Sequence, residues 1–487
     1  MRLTYLVYTF SLAMMYFSIV LFLPIVIALI YGELNAIFPF FIAGTSALLL
    51  SVTMRKVFSE VSQIKSINDI KKSEGLFAVT LCWVFAGLFA SIPYLFFGLS
   101  PLNAFFEATS GITATGATIF TNFDYPTTLF FWRSFSQWLG GMGIIVLFVA
   151  ILPQFAIAGR QLFFAEAPGP TEDKFTPRIK NTASSLWKIY FGLTLLEIIL
   201  LKLNGMDLFN AVCNSFSSVS GGGFSPSADS LIGNTTPVLW IVCCFMFFAG
   251  ASYNLQYRAW VKFNPLLLFK NEEFRTYFFI TIGVAFLLTI SLFIHSNYNL
   301  WESIAHSFFQ VSSVISSSGF CSVDFATWDY TSKAILLLAM LAGSCASSAG
   351  GGIKIVRWLL ILKILRAELA KILHPKAVYN IKIGKYSVSK DILYQTLMFV
   401  SFYFIILVVS AFIIAILEQN TVVGISSAIS AIGNIGPGLC TIIGPLGSYD
   451  NLHQFSKLII IFDMYVGRLE LIPFLVLFQK EIWVLHK

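Results

Sequence analysis

Charge is scarce in this sequence. Only 11% of its 487 residues are Asp, Glu, Lys or Arg, against about a quarter in a soluble domain, while 57% are hydrophobic. That balance excludes an ordinary soluble protein and reads as an integral membrane protein. Histidine is scarce too. The five present, His295, His306, His374, His453 and His486, are scattered, and none clusters with a nucleophile and an acid/base pair, so the chain does not read as an enzyme. The seven cysteines (82, 213, 243, 244, 321, 345, 440) are odd in number, sit in apolar context and lack CxxC spacing. They read as small packing residues rather than a metal or redox site. No Walker sequence and no GxGxxG following a strand is present, so any nucleotide control must come from a partner.

Long apolar runs are what the chain has in plenty. Expected spans fall at about 4–31, 36–54, 76–98, 127–153, 185–203, 236–260, 276–295, 332–347, 354–370, 391–417 and 455–479, near the roughly twenty residues a helix needs to cross a bilayer. The first run lacks a signal-peptide cleavage site and is followed at once by a second span, so it is kept as structure. The excess of +7 is not spread evenly. All of the 31 basic residues except Arg133, Lys202, Lys333, Lys457 and Arg468 fall at the termini or in alternate connections, the largest cluster running from Lys354 to Lys390. This positive-inside bias puts both termini in the cytoplasm and argues against nucleic acid as a partner.

Beyond the first pair, the spans come in couples. Each couple brackets a segment too polar and interrupted to cross: "PLNAFFEATSGITATGATIF", "DLFNAVCNSFSSVSGGGFS", "NLWESIAHSFFQVSSVISSSGFCSVDF" and "TVVGISSAISAIGNIGPGLC". Each opens on a helix-starting signal: Ser100 before Pro101, Asp207, Asn299, or Asn420 with Thr421. Each then runs through a few helical turns into a glycine-containing stretch. The key glycines, Gly116, Gly223, Gly319 and Gly436, recur about every hundred residues, which is an internal repeat. The expected organisation is an N-terminal hairpin over 1–70 and four units over 71–155, 156–265, 266–375 and 376–487.

Non-helical backbone at membrane depth survives only where protein buries it or water lines it. One Gly/Ser run would suit a plain extracellular connector. Four in register, each after a capped half-helix, point to one shared aqueous site. Backbone carbonyls aimed at a common axis would replace the hydration shell of a small cation, and glycine permits the dihedrals this requires. The half-helices would turn their negative ends to that axis. The residues concerned are Thr113, Ala114, Thr115 and Gly116; Ser220, Gly221, Gly222 and Gly223; Ser316, Ser317, Ser318 and Gly319; and Asn434, Ile435 and Gly436.

These segments resemble the selectivity-filter segments of the Trk/Ktr/HKT superfamily of potassium transporters. "WRSFSQWLGGMGIIV", "CASSAGGGIK" and "DMYVGRLE" are similar to other signatures of that family, and the N-terminal hairpin resembles its TrkH branch. The second segment differs in having Gly221 before the last two glycines, and the third in having only serine before Gly319. The resemblance implies an all-α polytopic fold of four pseudo-symmetric M1–P–M2 repeats, as in potassium channels, around one pore. It implies potassium as the transported ion, a bacterial cytoplasmic (inner) membrane location, a homodimer, and a cytosolic ring of nucleotide-binding (RCK-type) regulatory subunits.

Other residues leave alternatives open. Three consecutive glycines weaken a helix by about 2 to 3 kcal/mol relative to alanine, so Gly343 to Gly352, with Ser344, Gly350 and Gly351, form either a passive bend or a plug under the filter. Arg468, midway along the last span, must face a cavity or a partner. It is either ion-paired with Asp463 or Glu470 or, as the resemblance favours, a positive constriction. Glu107 and Glu302 in the half-helices either attract cations or bond nearby amides. Asp124, Asp229, Asp324 and Asp450 after the four loops either charge the entrance or make turns. The function expected is channel-like potassium uptake; a sodium- or proton-coupled secondary transporter is the alternative.

Overall fold

The structure, a computed structural model, describes residues 3–57, 72–143, 179–376, 379–384 and 386–469. Among these the chain is helical apart from short turns and one small hairpin, Lys382–Ile383 paired with Tyr386–Ser387. Five helices among the described residues are long and apolar enough to cross a bilayer: Phe10–Tyr31, Leu34–Val57, Phe77–Phe96, Glu272–His295 and Lys390–Leu417. The spans expected at 127–153 and 455–479 are helical over Thr127–Met142 and Gln454–Arg468; their remainders lie outside the described residues.

The first two helices, Leu3–Tyr31 and Leu34–Val57, turn back on each other through Gly32 and Glu33. The Glu33 carboxylate at the tip accepts from Thr127 N at 2.7 Å, Thr128 N at 2.9 Å and Thr128 Oγ1 at 2.6 Å. It thereby supplies the acceptors that the start of helix Thr127–Met142 lacks, since that helix has Pro126 and no side chain at its own cap. Phe10, Phe17 and Phe40 of the hairpin join Trp83 and Trp132 in one apolar core.

Four short helices follow the pattern read from the sequence. Pro101–Ile112, Leu208–Ser220, Leu300–Ile315 and Thr421–Ile432 each pack on the long helix that precedes them. Their N-caps are Ser100, Asp207, Asn299 and Asn420, and each cap side chain accepts a backbone N–H of the first turn. Glu302 closes a capping box with Asn299.

Two expected spans are corrected. The run 236–260 is two helices, Thr236–Ala249 and Tyr253–Val261, bent by 102°. Apolar character carries on through the bend, but the carbonyls it frees are taken by a distant segment: Cys345 N donates to Gly250 O at 2.9 Å and Ala349 N to Ala249 O at 3.3 Å, while Tyr253 N donates to Ser347 O at 3.0 Å. The run 332–347 is helical only over Tyr330–Ala342. Gly343, Ser347, Gly352 and Lys354 all have φ between 59° and 78°, which no right-handed helix accommodates, and helix resumes at Ile355–Leu373.

Candidate functional site

Each short helix ends in the same way. The residue two before each key glycine is left-handed: Ala114 (φ 51°), Gly221 (69°), Ser317 (60°) and Asn434 (51°). So is each key glycine: Gly116 (86°), Gly223 (74°), Gly319 (75°) and Gly436 (105°). The residue between them donates its N–H to a serine carbonyl five positions back: Thr115 to Ser110 (2.9 Å), Gly222 to Ser217, Ser318 to Ser313 and Ile435 to Ser430 (each 2.8 Å). Three non-glycine residues in left-handed conformation cost on the order of 1 kcal/mol or more apiece, and these repeated bonds hold them.

The loops form a closed ring. A Cβ on Gly116 would lie against Gly222 O, one on Gly223 against Ser318 O, one on Gly319 against Ile435 O, and one on Gly436 2.7 Å from Thr115 O. First meets second, second meets third, third meets fourth, and fourth returns to first. Gly116, Gly223, Gly319 and Gly436 all line one cavity of about 60 Å³ on the side of the following loops. At the seam between fourth and first loops, Asn434 Nδ2 donates to Thr115 Oγ1 at 2.9 Å and to Met464 O at 3.0 Å.

The segment expected to bend or plug lies against the opposite side of the ring. Gly351 N donates to Ser317 Oγ at 2.6 Å. A Cβ on Gly350 would press on Ser316 O, and one on Gly351 on Gly433 O. Lys354 Nζ turns inward to Gly350 O and lies 3.4 Å from Ser344 Oγ. Arg468 Nη1 donates to Ala349 O at 2.8 Å, and its Nη2 donates to Gly140 O. Asp463 instead accepts from Ser410 Oγ at 2.9 Å; Glu470 lies outside the described residues. Arg468, Lys354, Tyr253, Gly140 and Ser348 line a cavity of about 100 Å³, which has room for several waters.

The sequence model of one family, described as TrkH: cation transport protein, matches residues 40–483. The TrkH potassium uptake protein of the Trk system of Escherichia coli strain K12 is 35% identical over 427 residues, covering 86% of this chain and 88% of that protein. Its Halomonas elongata counterpart is 33% identical, covering 97% and 98%. The chain belongs to the TrkH family of cation transport proteins. Its fold matches the crystal structure of the potassium transporter TrkH from Vibrio parahaemolyticus with a TM-score of 0.86 at 29% identity, over 99% of this chain and all of that one.

Within this TrkH-family chain the carboxylates resolve toward structure. Glu107 is wholly buried and paired with Arg133 at 2.8 Å. It also accepts from Ile119 N, three residues past Gly116, at 2.9 Å. Gln310, which stands nine residues before Gly319 as Glu107 stands before Gly116, accepts from Ser322 N at 3.1 Å in the same manner. Asp324 caps a turn through Ala326 N, and Asp450 takes Asn103 Nδ2 at 2.6 Å and Lys457 Nζ at 3.5 Å. Asp124 and Asp229 are exposed.

Sequence reasoning missed several residues around the ring. Lys354 counted as part of a cytosolic basic cluster, yet it is only 8% exposed. Tyr449 Oη donates to Gly436 O at 2.8 Å, and Gln137 bonds the second loop. One missed signal was legible: a serine six residues before every key glycine (Ser110, Ser217, Ser313, Ser430).

Proposed function

We propose that this chain takes up potassium through a channel-like pore at the ring of four loops. The observation that carries the reading is cyclic closure. A ring in which each loop touches its two neighbours leaves an axis that no side chain from the key glycines can fill. Carbonyls of successive residues around such an axis can replace the hydration shell of a monovalent cation. The four half-helices end at the ring, and each contributes roughly half a negative charge at its C-terminus, which favours a cation there. In this reading the chain is four M1–P–M2 repeats after an N-terminal hairpin, with boundaries near residues 71, 156, 266 and 376. Thr113–Gly116, Ser220–Gly223, Ser317–Gly319 and Asn434–Gly436 form the filter.

Residues 343–352 act as the gate, held under the filter by Ser317 and Arg468. Arg468 adds positive charge below it, which lowers cation occupancy. The reading extends to a homodimer in the bacterial cytoplasmic membrane, both termini inside, with RCK-type nucleotide-binding subunits on the cytosolic face. The relatives named above carry potassium uptake in their names, which supports the choice of ion.

The test is tracer rubidium uptake into liposomes containing the purified protein, with and without an imposed sodium or proton gradient. Uptake driven by the rubidium gradient alone is expected. Uptake that requires a sodium or proton gradient would make this a coupled secondary transporter, and absence of uptake under every condition would overturn both.

A further inference from the structure

Helix Thr127–Met142, directly after the first loop, carries Gln137 within "SFSQWLGG". Its side chain is wholly buried and stands at the seam between the first and second loops. Nε2 donates to Gly222 O at 2.6 Å, and Oε1 accepts from Phe224 N at 3.0 Å. With one acceptor and one donor as partners, only one orientation of the amide satisfies both. The clamp spans Gly223, the second key glycine.

The four residues preceding the key glycines, Thr115, Gly222, Ser318 and Ile435, present their carbonyls alike, each toward the glycine of a neighbouring loop. Among the described residues, Gly222 O alone of these four accepts a side-chain hydrogen bond. The absence of a side chain at Gly222 has the same origin. Its φ is not in the left-handed region, so the backbone does not demand glycine. A Cβ there would press on Gln137 Cδ and lie 2.6 Å from Oε1. Glycine at this position makes room for the amide.

We propose that Gln137 is a positioning residue that sets ion selectivity by making the ring unequal. It draws one carbonyl of four into a hydrogen bond, so a dehydrated cation meets three free oxygens and one shared oxygen. An oxygen already accepting from an amide offers a cation less, which lowers the field of the ring. A weaker field favours large, weakly hydrated alkali ions over sodium, because less of the dehydration cost of a small ion is recovered. The proposal rests on the potassium-conduction reading above.

The test compares rubidium and sodium tracer uptake into liposomes by the native chain, Gln137→Leu and Gln137→Glu, at pH values between about 5 and 9. Leucine removes the donor, and the rubidium-to-sodium uptake ratio is expected to fall about tenfold, the worth of one hydrogen bond. A protonated glutamic acid can donate to Gly222 O and accept from Phe224 N as the amide does, whereas a carboxylate repels that oxygen. The Glu variant is therefore expected to approach the native ratio at low pH and depart from it at high pH. The ionisable groups on the elements around Gln137 are Arg133 with Glu107, Cys213, Glu197, Tyr190 and Arg468. Their titration is shared by the native chain and the Leu variant, which serve as references at each pH.

A native ratio in the Leu variant overturns the proposal, as does loss of both fluxes with the ratio unchanged. Gln137→Met takes the place of leucine if the Leu variant does not yield monodisperse protein. A native chain that carries neither ion overturns the potassium reading and the proposal with it, whereas native uptake with unshifted variant ratios overturns the proposal alone.

Discussion

Removing the charge on Glu107 should destabilise the fold mainly through Arg133, and a double substitution can demonstrate it. Glu107 and Arg133 are 0% and 2% exposed and bonded at 2.8 Å. The carboxylate also takes Arg133 Nε at 2.9 Å, Thr118 Oγ1 at 3.0 Å and Ile119 N at 2.9 Å. In Glu107→Gln one oxygen can serve about two of these donors, and the new NH₂ faces the guanidinium. Stranding a buried charge costs about 3 to 5 kcal/mol. A competing account gives the energy to the aromatic rings, since Arg133 Cζ lies 4.1 Å from the Phe224 centroid and 4.4 Å from that of Phe120. Such contacts are worth about 0.5 to 2 kcal/mol, so the ion pair should dominate.

The assay is a double-mutant cycle of Glu107→Gln, Arg133→Met and the pair, read as heat-denaturation midpoints of detergent-solubilised protein. For a chain of this size each kcal/mol moves the midpoint by about 1 to 2 °C, so Glu107→Gln alone should lose about 4 to 8 °C. Once Arg133→Met has removed the guanidinium, the same Glu107→Gln step strands no charge, and the amide oxygen still serves Thr118 and Ile119. That step should then cost at least a third less than it does beside the native arginine. Strict additivity, with Glu107→Gln equally costly in both backgrounds, would refute the reasoning and hand the energy to the rings.

Three further outcomes follow from the same geometry. Gly319→Ala sets a Cβ against Ile435 O and 2.9 Å from Pro437 Cδ, whereas Gly233→Ala, at a comparable φ of 82°, meets nothing within 4 Å. Both should lose about 1 kcal/mol of stability through backbone strain, but only Gly319→Ala should abolish rubidium uptake; equal uptake by the two would count against the ring. Ser317→Ala leaves Gly351 N–H without its acceptor, a cost of about 1 to 3 kcal/mol, and Arg468→Ala removes the bonds to Ala349 O and Gly140 O. Each should raise basal uptake in liposomes, and unchanged or lower uptake in both would argue that residues 343–352 are a passive bend. Burial raises the Glu33 carboxyl, but hydrogen bonds from Thr128 and Thr127 outweigh it and hold the pKa below the usual carboxylate range. Stability from such a group is present above its unfolded pKa and fades as pH falls through the folded value. The native chain should therefore exceed Glu33→Gln in stability at neutral pH, with the gap closing toward about pH 3; a gap constant over that range would contradict it.

The parts of this fold that were legible in the sequence are those set by neighbours in the chain. A cap residue and the amides it serves lie two or three positions apart, so Ser100, Asp207, Asn299 and Asn420 announced the short helices that the structure contains. A left-handed residue is likewise a local demand, and glycines 116, 223, 319 and 436 could be read for it. What was not legible depends on contacts across the fold. Nothing in "FFAGASYN" marks the 102° bend as obligatory; the bend persists because residues 345–349, about a hundred positions on, supply its hydrogen bonds. Lys354 carries a charge that belongs in water by composition, yet it points to the carbonyl of Gly350, four residues back in a segment whose path no periodicity describes.

The internal repeat makes the four loops alike, and the contacts around them remove that likeness. Asn434 bonds across to Thr115, Ser317 holds Gly351, Gln137 holds Gly222, and Ala114 has only a methyl side chain and holds nothing through it. Local sequence thus sets four equivalent backbones, while each loop meets a different neighbour. An ion on the axis would meet similar oxygens in unequal surroundings, and those surroundings are where one loop can be tuned without breaking the other three.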